Sequence, residues 1–500
     1  MFDLATETTT TTGAATRAGG SDLPAGNASL CTAQVLGSLG DAGFKRDHGL
    51  RYPYVAGAMA NGIASVELVE AMALGGMLGF FGAAGLGKDR VEAALNRLQT
   101  SLPGLPFGVN LIHSPNESSL EDAVARLFIQ RGLRLIEASA YLRLTLAVVR
   151  FRVAGIHRDA TGQIVTPNRI VAKVSRVEVA TQFFSPPPAE MLNELVRTGE
   201  LTAEQAALAA QIPVAQDVTA EADSAGHTDN RPLVTLLPTL LALRDRLQAK
   251  FGYAQPLRVG AAGGLSTPSG LAAAFAMGAA YVVTGSVNQA CVESGSSDVV
   301  RKMLAQAEQA DTAMAPAADM FEMGVKLQVL KRGTMFPMRA AKLWELYRAY
   351  PSLDAILEAD RAPLEKQFFR ATLAETWAST RAFWLTRDPS QVERAERDAQ
   401  VRKAYLRSTD EIEQLRAAAV ALRGQMEKDR VSRDQAVQTA ISVSQAELEQ
   451  LRATIATLRA SLERASIASE QALNSARTRD RAEILQLQEI VRVLRDRLSG

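Results

Sequence analysis

Between about residues 50 and 290 the chain repeats one unit eight times: a short, almost wholly apolar run, then a stretch with the spacing of an amphipathic helix. The runs are YPYVAGAM, GMLGFFG, LPFGVNLI, LRLIEASA, RIVAKVS, DVTAEADS, PLRVGAAGG and AAYVVTGSV. Such runs fit strands of a parallel sheet that is buried on both faces. SVELVEAMALG, SLEDAVARLFIQRG, TLLPTLLALRDRLQAKF and SGLAAAFAMG supply helices between them. Eight units argue for an α/β chain closed into a (β/α)8 TIM barrel rather than an open doubly wound sheet. Such a barrel uses about 250 residues and keeps its chemistry in the loops at the C-terminal ends of its strands. A chain of 500 residues leaves room for more.

The rest has three textures. Residues 1–30 are Thr-rich and of low complexity, which predicts a disordered tail; they lack the basic start and apolar core of a signal peptide. The barrel is expected over 31–295, with an insertion at about 183–216. Residues 296–400, with the aromatic stretch AKLWELYRAYPSL, read as a helical lid or substrate subdomain. After Pro389 no proline follows, and 405–500 read as a C-terminal coiled-coil segment for oligomerisation or docking. Its apolar residues fall in three patches: Ile412, Leu415, Ala419, Leu422 and Met426; Leu448, Leu451, Ile455, Leu458 and Leu462; Ile484, Leu487, Val491, Leu494 and Leu498. The heptad register does not run through unbroken, since the step from Ile412 to Leu448 is not a multiple of seven. A lone helix would leave this stripe wet, so a homo-oligomer through it is expected.

Composition excludes several classes of function. A formal net charge of +1 advertises neither nucleic acid nor a membrane surface. No apolar run reaches the roughly 20 residues of a membrane span. Cys31 and Cys291 lack metal-ligand spacing and cannot form a disulfide framework; with four histidines in all, no metal site is expected. These features read as a cytoplasmic protein.

Candidate site residues collect at the strand ends. Ala58, Met59 and Ala60 follow the first strand, Asn110 ends the third, and Ser139 the fourth. Gly263–Gly264 and Thr284–Gly285–Ser286 end the seventh and eighth strands, where close-approaching backbone N–H groups bind phosphate in barrels, although Gly–Gly also makes a plain turn. Ala225–Gly226–His227 follows the sixth strand. A histidine set among small residues at a barrel mouth is either an acid–base group or one that bonds its own loop. Lys173 ends an apolar strand, and burying its ammonium unpaired is costly, which points to an anionic ligand more than to a structural ion pair. Asn110 meets either a ligand or a neighbouring loop. His48, His113 and His157 read as structural, and Cys291 as a packing residue.

The segments VAGAMANGIASVELVEAM, GMLGFFGAAGL, FGVNLIHSPNE, EADSAGHTDNRPLV, RVGAAGG, VVTGSVNQA and APAADMFEMGVKLQVLKRGTMFPMRAAKLWELY resemble the PfaD-type enoyl reductases. These work in trans in polyunsaturated fatty acid and polyketide synthases, within a superfamily that includes nitronate monooxygenases (2-nitropropane dioxygenases). The resemblance runs from about residue 35 to about 397. It implies FMN at the barrel mouth, NADPH as hydride donor and an acyl-carrier-protein-bound enoyl thioester as substrate. It implies flavin contacts at Ala58, Met59, Ala60, Asn110, Lys173, Ala225, Gly226, Gly263, Gly264, Thr284, Gly285 and Ser286. His227 becomes the candidate proton donor, with Lys173 second, and the helical region from Glu322 to Phe336 the cover of the mouth. Past 397 the chain departs from the family: AQVRKAYLRSTDEIEQLR runs straight into the coiled coil, as an exchanged end or a fused helix. Two other functions stand beside this one: an FMN nitronate monooxygenase, disfavoured by the insertion and the FEMGVKLQVLKRGTMF stretch, and a coiled-coil scaffold with an inactive barrel.

Overall fold

The computed structural model describes residues 36–113, 118–226, 228–317, 321–332 and 334–498. The Thr-rich tail, Cys31 and His227 lie outside the described residues. All eight apolar runs form strands: β1 (Tyr54–Ala56), β2 (Leu78–Phe81), β3 (Gly108–Ile112), β4 (Leu135–Ser139), β5 (Arg169–Val174), β6 (Asp217–Glu221), β7 (Arg258–Ala262) and β8 (Val282–Thr284). They pair in parallel and in sequence order into a closed barrel, and β1 seals it by pairing with both β2 (Ala56↔Gly79) and β8 (Ala56↔Thr284). Contacts divide the chain into two units, residues 1–410 and 411–500.

Strand side chains alternate between the lumen and the helices outside. Outward residues such as Val109, Ile136, Ile170, Val218 and Val259 join the larger apolar cluster with the surrounding helices. Inward residues Val55, Leu78, Phe80, Leu135, Val171, Tyr281 and Val283 fill the lumen. Room for two rings comes from glycines: a Cβ at Gly108 would lie 2.3 Å from the Phe80 ring, and one at Gly260 2.3 Å from the Tyr281 ring. The floor is closed by the helix Ala42–His48, whose N-cap Asp41 accepts from the Phe44 N–H at 2.6 Å. Phe44 is fully buried and stacks on Tyr281 at 4.1 Å. Beneath that stack Asp217 accepts from His48 Nε2 (2.9 Å) and from Arg258 Nε (2.6 Å) and Nη2 (3.2 Å). Burial raises the Asp217 pKa, but Arg258 and His48 outweigh it and bring the carboxyl down to about 2.

The insertion between β5 and β6 adds the helices Ala189–Arg197 and Ala203–Ala209. Beyond the barrel the structure departs from the all-helical expectation. Thr312–Pro316 (β9) and Lys326–Leu330 (β10) form an antiparallel hairpin, so the stretch expected as a helical cover is partly strand. KLQVL alternates polar and apolar residues with the period of two that a half-buried strand needs. The helices Phe336–Ala349 and Leu373–Arg387 follow, sharing a small core of Leu346, Leu353, Ile356, Leu364 and Leu373. A 100-residue helix, Ala399–Leu498, ends the chain. Its start is anchored by Lys403, which donates to the carbonyls of Tyr347 (2.6 Å) and Tyr350 (2.5 Å). Among the described residues no helix is long and apolar enough to cross a membrane.

Candidate active site

The alternation that fills the lumen also decides what faces its mouth. Inward positions toward the C-terminal ends include Asn110 on β3, Glu137 on β4, Lys173 on β5 and Glu221 on β6. The three charged side chains meet: Lys173 Nζ lies 3.5 Å from Glu137 Oε2 and 3.5 Å from Glu221 Oε1, with side chains 12%, 0% and 9% exposed. Burial pulls the Lys173 pKa down, but the two carboxylates more than offset it and hold the ammonium firmly charged. Burial raises Glu137; Lys173 and the Ala58 N–H oppose that shift without cancelling it. Lys173 therefore does not require the anionic ligand expected from its place in the sequence, because the chain supplies its own counter-charges.

Glu137 and Glu221 were not among the sequence candidates. The signal was present for Glu137, a lone acid at an inward position of an otherwise apolar strand (LIEAS), whereas Glu221 shares its strand (DVTAE) with Asp217 and Thr219. Burying a carboxylate there is as costly as burying the lysine. Glu137 links three strand ends: Oε2 also accepts from the Ala58 N–H at 2.9 Å, while Oε1 is buried without a hydrogen bond. Asn110 Nδ2 donates to the Glu137 carbonyl (3.0 Å) and to Ser139 Oγ (2.7 Å). Its donors thus serve β4, and its Oδ1 is the atom available to a ligand.

Three loops shape the mouth. After β1, Gly57–Ala58–Met59–Ala60 is pressed against the end of β2, where a Cβ on Gly82 would fall 1.7 Å from the Met59 carbonyl oxygen. After β6, Gly226 is needed for closeness to Glu221, since its Cβ would meet Oε1 at 2.5 Å, and the Gly226 N–H donates to Ser224 Oγ at 3.2 Å. Asp223 in the same loop accepts from Asn230 Nδ2 and from Gln328 Nε2, both at 2.7 Å, which ties the loop to β10. After β7, Gly263 has φ +93° and no space for a side chain: a Cβ would lie 2.7 Å from the Ala222 carbonyl carbon. Gly264, with φ +68°, and Gly285 have open space where a Cβ would stand. Among the described residues, none of the N–H groups of Gly263, Gly264, Gly285 and Ser286 donates to a backbone carbonyl. Four such donors on neighbouring strand ends leave N–H groups free of backbone acceptors there.

Thr284 belongs to this end by position but not by exposure. It is buried, with Oγ1 donating to Tyr54 OH (2.7 Å) and accepting from Asn288 Nδ2 (2.8 Å). The structure thus brings together Ala58, Asn110, Lys173 and Gly226 through the two glutamates, and Gly263, Gly264, Gly285 and Ser286 as a second set. His227 and its candidate role lie outside the described residues. The other histidines bond within the protein: His48 to Asp217, His113 Nδ1 to Glu121 (3.0 Å) and His157 Nδ1 to the Gly155 carbonyl (2.9 Å).

Comparison with known proteins converges on one group. The family model described as nitronate monooxygenase matches residues 44–420. A polyunsaturated fatty acid synthase component of Thraustochytrium sp. is 48% identical over 76% of this chain and 26% of its own length. Polyketide biosynthesis protein PksE of Bacillus subtilis is 41% identical over 74% of this chain and 48% of its own. The chain thus spans less than half the length of these curated relatives. Among solved structures, the enoyl reductase domain of MlnA, from the macrolactin biosynthesis cluster of Bacillus amyloliquefaciens, aligns with a TM-score of 0.72 at 39% identity. The alignment covers 77% of this chain and 86% of that one.

Proposed function

The chain belongs to the nitronate monooxygenase family, and from that premise we propose that it is an FMN-dependent enoyl reductase. Its substrates would be α,β-unsaturated thioesters carried by the acyl carrier protein of a polyketide or polyunsaturated fatty acid synthase, reduced in trans. The observation that carries this reading is the likeness to an enoyl reductase domain at 39% identity over 86% of that domain.

The residues at the mouth fit such a cofactor. The open N–H groups of Gly263, Gly264, Gly285 and Ser286 suit a dianionic phosphate, and the space beside Gly264 and Gly285 leaves it unobstructed. Ala58, Met59, Ala60, Asn110, Ala225 and Gly226 would line the flavin ring, and Thr284 would brace its loop through Tyr54 and Asn288. When bound, FMN supplies a relay for a hydride from NADPH to the β-carbon of the enoyl thioester. Lys173, fixed between Glu137 and Glu221, would offer a preorganised N–H donor to the thioester oxygen as the double bond is reduced. His227 is the assigned proton donor to the α-carbon, with Lys173 second. The runner-up is a nitronate monooxygenase, the activity after which the family is described.

Purified protein should be yellow and release about one FMN per chain on denaturation. Gly263→Val should lose most of that flavin, because the side chain must displace the Ala222 carbonyl. Colourless protein that FMN cannot reconstitute would sink the enzyme reading in favour of a scaffold, and a Gly263→Val variant with full flavin would sink the phosphate site.

A further inference from the structure

The far part of the long helix leaves an apolar stripe in water: Ile441, Leu448, Leu451, Ile455, Leu458, Leu473, Ile484, Leu487, Val491 and Leu494 are each 45–61% exposed. The pattern along that stripe identifies what covers it. From 441 to 462 the step alternates three and four, with Ile441, Leu448, Ile455 and Leu462 at one heptad position (a) and Ser444, Leu451 and Leu458 at the other (d). The seam then passes to an eleven-residue period through Leu462, Leu473 and Ile484. Eleven residues make three turns at 3.67 per turn, close to the helix's own 3.6, so the stripe keeps to one side. From Ile484 the heptad resumes, with Ile484 and Val491 at a and Leu487 and Leu494 at d.

In the heptad stretches the d positions Leu451, Leu458, Leu487 and Leu494 are leucine, while β-branched Ile441, Ile455, Ile484 and Val491 share the a positions with Leu448, Leu462 and Leu498. Leucine at d with β-branched residues at four of those seven a positions favours a parallel, two-stranded coil. Charge agrees with it. In a parallel pair Glu447 (g) faces Arg452 (e) of the other copy, and no like-charged g–e pair arises between 440 and 495. The antiparallel register with the greatest overlap lays Ile441 against Leu494 and Leu448 against Leu487. It also forces Ile455 against Asp480 and Leu458 against Arg477, the two charged residues on the seam. In the parallel register Arg477 and Asp480 stand beside their own counterparts, and every apolar seam residue keeps an apolar partner.

We propose that residues 437–498 pair with the same segment of a second copy of this chain as a parallel, two-stranded coiled coil. The full chain carrying Ser444→Cys tests this, because a d-position cysteine in a parallel pair stands opposite itself, whereas antiparallel pairing puts it far from its copy. Light scattering should give twice the 53.6 kDa of one chain. Diamide should convert the Ser444→Cys protein to a disulfide-linked dimer at least ten times faster than the parent or an Ala446→Cys control, whose cysteine lies on the outer face (f). A monomer at micromolar concentration would overturn the proposal and leave the stripe to a different protein. A trimer, or a dimer without the accelerated disulfide, would overturn it as well.

Discussion

Lys173→Met is expected to destabilise the barrel by about 3–5 kcal/mol at neutral pH, the usual cost of removing one partner from a buried ion pair. The loss is not that of a salt bridge alone. Two carboxylates, Glu137 wholly buried and Glu221 nearly so, would be left at the mouth without their cation. Glu137 already has its pKa raised by burial, and losing Lys173 removes the largest influence holding it down. A carboxyl whose pKa is raised on folding takes up a proton more readily folded than unfolded, so stability falls as pH rises through the folded value. The deficit should therefore shrink as pH drops from neutral toward 4.5, the carboxyl's ordinary value. The double variant Lys173→Met/Glu137→Gln should recover most of the loss at neutral pH. Urea unfolding across that range measures both; an unchanged midpoint, or a deficit independent of pH, would contradict the triad.

Asp217→Asn should cost a similar amount, about 3–5 kcal/mol, while leaving the chemistry intact. Asp217 anchors Arg258 and His48 beneath the barrel, four residues along β6 from Glu221 and so roughly 13 Å from the mouth. Its folded pKa of about 2 lies below the ordinary 3.8. A carboxylate depressed on folding contributes stability above its unfolded value, and that stability is lost as pH falls through the folded one. The parent should lose stability between about pH 4 and 2, and the Asn variant should lack that part of the slope. Flavin content should be the same in both. A variant that unfolds like the parent, or that keeps its stability but loses its flavin, would show that Asp217 does something else.

The barrel was legible because a parallel sheet buried on both faces takes mostly apolar residues in its strands, so each strand announces itself as a largely apolar run. The hairpin β9–β10 was less legible. It lies among helices, and the two-residue alternation of Lys326–Leu330 is short enough to be absorbed into a helical reading. At the site, Gly263 could be read because a side chain there would strike the Ala222 carbonyl, and Gly264 because its φ of +68° favours glycine. The two glutamates could not be paired with Lys173, because the residues that meet at a barrel mouth come from separate strands, and one sequence does not say which lone acids face inward. A buried lysine does need an anion, and here its partners were already in the chain.

Enoyl reduction meets its sharpest test in an anaerobic titration of the purified full chain. NADPH should bleach the flavin band, and crotonyl thioester, added without oxygen, should restore it. A flavin that ignores NADPH but is bleached by an alkyl nitronate would contradict the enoyl reductase and establish the monooxygenase in its place.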